Sequence, residues 1–93
     1  MNGAPMRRSV IVANPNGMHM RPIAAFVEMA GRYQADVIVT HNGTSANGKS
    51  IWDWMTLAAE VGSELTLEAD GPDAPAALDA LSELISTPPP VEN

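Results

Sequence analysis

Ninety-three residues, 45% of them hydrophobic and none of them cysteine, suffice for one small domain with a single core and leave no disulfide, thiolate nucleophile or cysteine zinc site. Five basic against eleven acidic residues give a formal charge of −6, which argues against a nucleic-acid ligand and favours partners with basic surfaces. No stretch nears the roughly 20 apolar residues of a membrane-spanning helix, and Ser9–Ala13 is too short for the apolar core of a signal peptide, so the chain reads as a soluble cytoplasmic protein.

In chain order, residues 1–6 form a leader, residues 7–86 a single domain, and residues 87–93 a proline-rich tail. The β-branched Val10, Ile11 and Val12 place a first strand over Arg7–Ala13. Ile23, Phe26, Val27 and Ala30 recur at helical spacing in a helix from Met20 to Arg32, whose last turn Gly31 weakens. A second strand covers Ala35–Thr40, and Asn42-Gly43 turns it into a hairpin with Thr44–Asn47, because both turn residues tolerate positive φ. Ser50 is placed as N-cap of a short helix over Ile51–Leu57, with Gly62 barring anything longer. Glu64–Asp70 alternates strictly, directing Leu65, Leu67 and Ala69 inward from a half-solvated strand. Gly71-Pro72-Asp73 opens a last helix with Ala74, Ala77, Leu78, Leu81 and Ile85 on its inner stripe, and Pro88-Pro89-Pro90 ends it. The order β-α-β-β-α-β-α specifies an α+β layer design, helices on one face of a small antiparallel sheet.

One stretch carries chemistry. Asn14-Pro15-Asn16-Gly17-Met18-His19 is a turn-rich loop that ends where a helix begins, and Pro22 confines its neighbourhood to a first helical turn. His19 therefore sits at or beside the N-cap, with Arg21 close by. Free backbone N–H groups and the positive end of the helix dipole welcome an anion there. A histidine near a helix start is commonplace as a solvated polar residue, so the meaning of His19 rests on what accompanies it.

Other motifs resolve less productively. Gly43-Thr44-Ser45-Ala46-Asn47-Gly48-Lys49-Ser50 matches the phosphate-binding pattern G-x-x-x-x-G-K-[ST] letter for letter. That loop needs a buried parallel sheet with βαβ crossovers, which short alternating strands do not supply. His19 and His41 have no second ligand at a familiar metal-binding spacing, and no base and acid accompany Ser50. Asp70 and Asp73 read as helix-start residues. On the short helix, Ile51, Trp52 and Met55 share one side while Trp54 and Leu57 share another. One stripe enters the core and the other forms an apolar docking patch.

With these residues in hand, the chain from about Arg7 to Ile85 resembles HPr, the histidine-containing phosphocarrier family of the phosphoenolpyruvate-dependent phosphotransferase system. The likeness rests on Asn16-Gly17-Met18-His19-Met20-Arg21-Pro22, Asn42-Gly43, Gly48-Lys49-Ser50-Ile51 and Glu68-Ala69-Asp70-Gly71. It implies an open-faced β-sandwich of four antiparallel strands and three helices. It also implies that His19 accepts a phosphoryl group on Nδ1 from Enzyme I and passes it to an EIIA-type domain, with Arg21 neutralising the phosphoryl oxygens. No metal, nucleotide or other cofactor is implied, and the protein would be a co-substrate rather than an enzyme, working as a monomer. Ser50 matches the serine that an HPr kinase phosphorylates in many bacteria. Asn16, Gly17 and Pro22 support the loop, and Met20, Lys49, Ile51, Trp52 and Met55 are the docking candidates. Glu28 and Asp53 add negative charge where many relatives are basic or neutral, and Trp52 and Trp54 are bulkier than usual for the family. Sugar uptake and a regulatory branch are both open. A different reading makes the chain an interaction module that docks through Ile51, Trp52 and Met55 without carrying phosphate, and a third is a small nucleotide-binding enzyme.

Overall fold

In a computed structural model that describes residues 5–88, the chain folds as a four-stranded antiparallel sheet with three helices. The strands are β1 (Met6–Ile11), β2 (Asp36–His41), β3 (Thr44–Asn47) and β4 (Glu64–Asp70). The helices are α1 (Met20–Ala30), α2 (Ile51–Met55) and α3 (Ala74–Ser86). Spatial order is β1-β4-β2-β3, so β4, the strand with the strictest alternation, lies inside the sheet beside both β1 and β2.

That alternation divides the two faces. Val10, Val37, Val39, Ala46, Leu65, Leu67 and Ala69 are buried against the helices. The other face carries a polar lattice: Arg7 Nε donates to Glu68 Oε1 at 3.1 Å, Ser9 Oγ to Glu64 Oε2 at 3.0 Å, and the Thr40 and Ser45 hydroxyls meet at 2.8 Å. Arg8 points to the helix side of the edge strand, and its guanidinium emerges at α3, 2.7 Å from Asp79 Oδ1 and 3.1 Å from Ser82 Oγ. Across the core, α1 contributes Ile23, Phe26 and Ala30, and α3 contributes all five residues of its inner stripe. Val27 is only partly buried at the edge of this cluster.

Several boundaries differ from the sequence expectation. Met6, assigned to the leader, is the first residue of β1 and pairs with Ala69. Val12 and Ala13 leave the ladder, because their N–H groups go to the carbonyls of Ser63 (2.9 Å) and Ile85 (3.1 Å) instead. The first helix stops at Ala30 rather than Arg32, with the Gly31 N–H closing onto the Val27 carbonyl at 3.0 Å. The second strand runs one residue later than expected at each end, with His41 pairing to Thr44 across the hairpin. The short helix ends at Met55 rather than Leu57, as Thr56 Oγ1 turns back to the Asp53 carbonyl at 2.7 Å. The last helix opens at Ala74 and stops at Ser86, ahead of the prolines. Asn42 (φ 51°) and Gly43 (φ 82°) both take positive φ, so the hairpin uses the turn their identities specify. Thr44–Asn47 is accordingly an antiparallel strand and not a phosphate cradle. Residues 1–4 of the leader and 89–93 of the proline-rich tail lie outside the described residues.

Candidate functional site

His19 is the N-cap of α1, extended at φ −89°, ψ −170°, with no hydrogen bond from its side chain to the helix it starts. Its carbonyl accepts the first intrahelical bond, from Ile23 N–H at 3.0 Å. The N–H groups of Met20 and Arg21 precede that bond, and Pro22 has none, so the helix opens with unpaired donors beside an exposed imidazole. No acidic residue occupies the first turn, which leaves the positive end of the dipole uncompensated.

Arg21 is exposed in that same turn. Arg7, Arg8 and Arg32 are ion-paired to Glu68, Asp79 and Glu28. Lys49 is half-buried and its ammonium donates to the Tyr33 carbonyl at 2.9 Å. Among the described residues, Arg21 alone of the basic side chains has no partner. Lys49 and Arg21 thus serve opposite ends of α1, an 11-residue helix about 16 Å long at 1.5 Å per residue.

The loop before His19 is held by backbone contacts. Asn14 accepts from two successive N–H groups, Asn16 at its Oδ1 (3.0 Å) and Gly17 at its carbonyl (2.8 Å). Gly17 is buried at φ +71°, and a Cβ there would fall 2.9 Å from both the Ala59 carbonyl oxygen and Glu60 Cα. Met18 N–H donates to that same Ala59 carbonyl at 2.9 Å. The α2–β4 loop is therefore the floor on which the histidine loop rests. Sequence reading missed Ala59 and Glu60, because an alanine and a glutamate in a loop carry no signal of a contact 42 residues away with Gly17.

Beside the site, α2 presents the two faces that its spacing specified. Trp54 (1% exposed) and Leu57 (4%) enter the core, Trp54 meeting Phe26 edge-on with ring centroids 4.8 Å apart. Trp52 is 79% exposed and Met55 48%, while Ile51 is half-buried. Met20, 52% exposed, lies on α1, which packs against α2. Ser50 caps α2, its Oγ accepting from Asp53 N–H at 3.2 Å. Asp73 is the N-cap of α3, as expected of a helix-start residue, but its side chain does not cap that helix: the carboxylate accepts from Gln34 N–H (2.8 Å) and Ala35 N–H (2.9 Å) at the start of β2. Those bonds, chiefly the one from Gln34, hold its pKa below the ordinary carboxylate value. Among the described residues no three potential ligands gather to hold a metal, and no helix is long and apolar enough to cross a membrane.

A small α+β domain with an imidazole and an arginine exposed at an open helix terminus has the character of a carrier that presents an anionic group at its surface. The family model described as the PTS HPr component phosphorylation site matches residues 6–87. The phosphocarrier protein HPr of Cupriavidus necator is 41% identical over 81 residues, 87% of this chain and 91% of that protein. The crystal structure of HPr from Bacillus anthracis superposes with a TM-score of 0.86 at 38% identity, covering 89% of this chain and 99% of that one. Another relative, solved as an HPr dimer from Thermoanaerobacter tengcongensis, gives a TM-score of 0.69 at 34% identity over 82% of this chain and 87% of that one. The chain belongs to the HPr family of phosphocarrier proteins, which are carriers rather than catalysts.

Proposed function

We propose that this protein carries its phosphoryl group on His19, receiving it from Enzyme I and delivering it to an EIIA-type domain. The observation that carries the reading is the pairing, in one exposed helix turn, of an uncapped imidazole with the one basic side chain unpartnered among the described residues. In the neutral ring the proton resides on Nε2, and the Nδ1 lone pair attacks phosphorus as the bond to the donor's carrier group breaks. Arg21 and the first-turn N–H groups then hold the phosphoryl oxygens by charge-assisted hydrogen bonds, which are stronger than neutral ones. Exposure serves this relay, since each partner must reach the same nitrogen. Incubation with phosphoenolpyruvate and a cognate Enzyme I should give an acid-labile, base-stable phosphate that vanishes in His19→Ala. An unlabelled wild-type protein, with that Enzyme I active, would refute the assignment.

Docking in this reading uses the exposed Met20, Trp52 and Met55 with the half-buried Ile51, the apolar flank of the helix pair. Ser50 is the regulatory position. A phosphate on its oxygen would sit at the start of α2 and place negative charge beside Asp53 and the patch, weakening docking without unfolding the helix. An HPr kinase that left Ser50 unmodified would count against this role. The exposed Trp52 also favours a second reading, an interaction module that docks through the same patch without phosphoryl relay, and the His19 label decides between them. We assign the protein to the cytoplasm, where phosphoenolpyruvate is made, and to a monomeric state; sedimentation at micromolar concentration tests the latter against a dimer. Its outlet is sugar uptake or a regulatory branch.

A further inference from the structure

The second histidine has a place that the phosphocarrier reading leaves unused. His41 ends β2 on the helix-facing side of the sheet, in line with buried Val37 and Val39, and is half-buried. Its Nδ1 lies 2.8 Å from the Leu57 carbonyl oxygen. A carbonyl only accepts, so the ring donates and its proton is on Nδ1. The carbonyls of Asp53 and Trp54 are already taken by the N–H groups of Thr56 and Leu57 as α2 closes. Leu57, just past the helix, has its carbonyl bonded by no donor but His41 among the described residues.

The two residues after Leu57 make that bond consequential. Ala58 turns through φ +51°, a left-handed conformation that costs an alanine about 1 kcal/mol and persists only where its surroundings enforce it. The next residue, Ala59, offers the carbonyl that seats Met18 N–H, and Met18 adjoins His19. A continuous physical path thus runs from the His41 ring through the Leu57 carbonyl and the strained Ala58 to the Ala59 carbonyl and the histidine loop.

We propose that His41 is a positioning residue for phosphoryl acceptance: by clamping Leu57 it holds the strained turn whose Ala59 carbonyl sets the placement of Met18 and His19. The kinetic part rests on His19 being the acceptor, whereas the clamp itself does not. Loosening it displaces His19 while Trp52 and Met55 stay on their helix, so the chemical step suffers more than recognition does. A shift of half an ångström at a reacting group is enough to slow transfer about tenfold.

The test compares His41→Ala, His41→Phe and His41→Asn in the full chain. Phenylalanine keeps a ring but has no donor, and serves where alanine unfolds the protein; asparagine can return an N–H to roughly the position of Nδ1. Amide hydrogen exchange of Met18, measured relative to Leu67 in the central strand β4 to remove global stability effects, should quicken about tenfold in the Ala and Phe variants. Phosphorylation by Enzyme I should show kcat lowered about tenfold with KM changed far less, and the Asn variant should restore both readouts. Met18 protection equal to wild type in the donor-free variants would overturn the proposal. So would an unchanged kcat, or an Asn variant as impaired as Phe. A wild-type protein that takes no phosphoryl group would refute the carrier assignment instead, while the exchange comparison still decides the clamp.

Discussion

Replacing Gly17 by alanine probes the contact that seats the histidine loop. Left-handed backbone alone is affordable here, since Ala58 already adopts φ +51° at an expected cost of about 1 kcal/mol. Gly17 differs because its new Cβ would lie 2.9 Å from the Ala59 oxygen and from Glu60 Cα, both main-chain atoms that no rotamer change can move. Ordinary contact begins at 3.4 Å, so the two loops must separate by about 0.5 Å, the difference of 3.4 and 2.9. That separation stretches the 2.9 Å bond from Met18 to Ala59, at a further cost of about 0.5–1.5 kcal/mol. With the strain of the displaced turn, the total is about 2–3 kcal/mol, which for a domain of this size lowers Tm by roughly 10–20 °C. Urea unfolding followed by tryptophan fluorescence measures the first figure and calorimetry the second. A loss below about 1 kcal/mol would show that the loops are not in hard contact and would remove the basis for treating residues 59 and 60 as a floor.

Arg21→Ala should leave stability within about 0.5 kcal/mol, as expected for an exposed side chain without partners among the described residues. It should slow phosphoryl acceptance about 10- to 100-fold through loss of a charge-assisted bond, and equal labelling rates would refute its role. Trp54→Phe should cost less than about 1.5 kcal/mol and Trp54→Ala about 3–5, because the phenylalanine cavity is offset by removing a buried indole N–H that finds no partner among the described residues; similar losses in urea melts would refute this accounting. Iodide should quench Trp52 and spare Trp54, and Enzyme I should protect Trp52; quenching unaltered by saturating Enzyme I would place docking elsewhere. For Asp73→Asn the sign follows from a depressed native pKa: the wild-type advantage is fully present above the unfolded carboxylate value and disappears as pH falls through the lower native value. A stability gap between the two proteins that stays constant through that acidic range would contradict it.

The polar and apolar order along the chain was enough to specify the layers. Leu65, Leu67 and Ala69 alternate because β4 has one solvated face, and the 3.6-residue recurrence in α3 names all its buried residues in advance. The hairpin turn was legible because Asn42 and Gly43 need positive φ, a local property of those residue types. The position of His19 and Arg21 at a helix start was legible for a similar reason, since Pro22 is tolerated in a first helical turn and not further in. Even the division of α2 between core and surface followed from spacing, although which stripe would face inward did not.

What sequence left open depends on contacts between distant segments. Asp73 starts α3 as its position suggests, but its carboxylate crosses to the N–H groups of Gln34 and Ala35, because the close of the fold brings the start of β2 within its reach. The strand order β1-β4-β2-β3 belongs to the same class. The seat of His19 on Ala59 and the clamp of His41 on Leu57 belong there too. Periodicity and turn chemistry are written in neighbouring residues and are readable from them; the partner of a loop carbonyl is decided only when the whole sheet and its helices have closed.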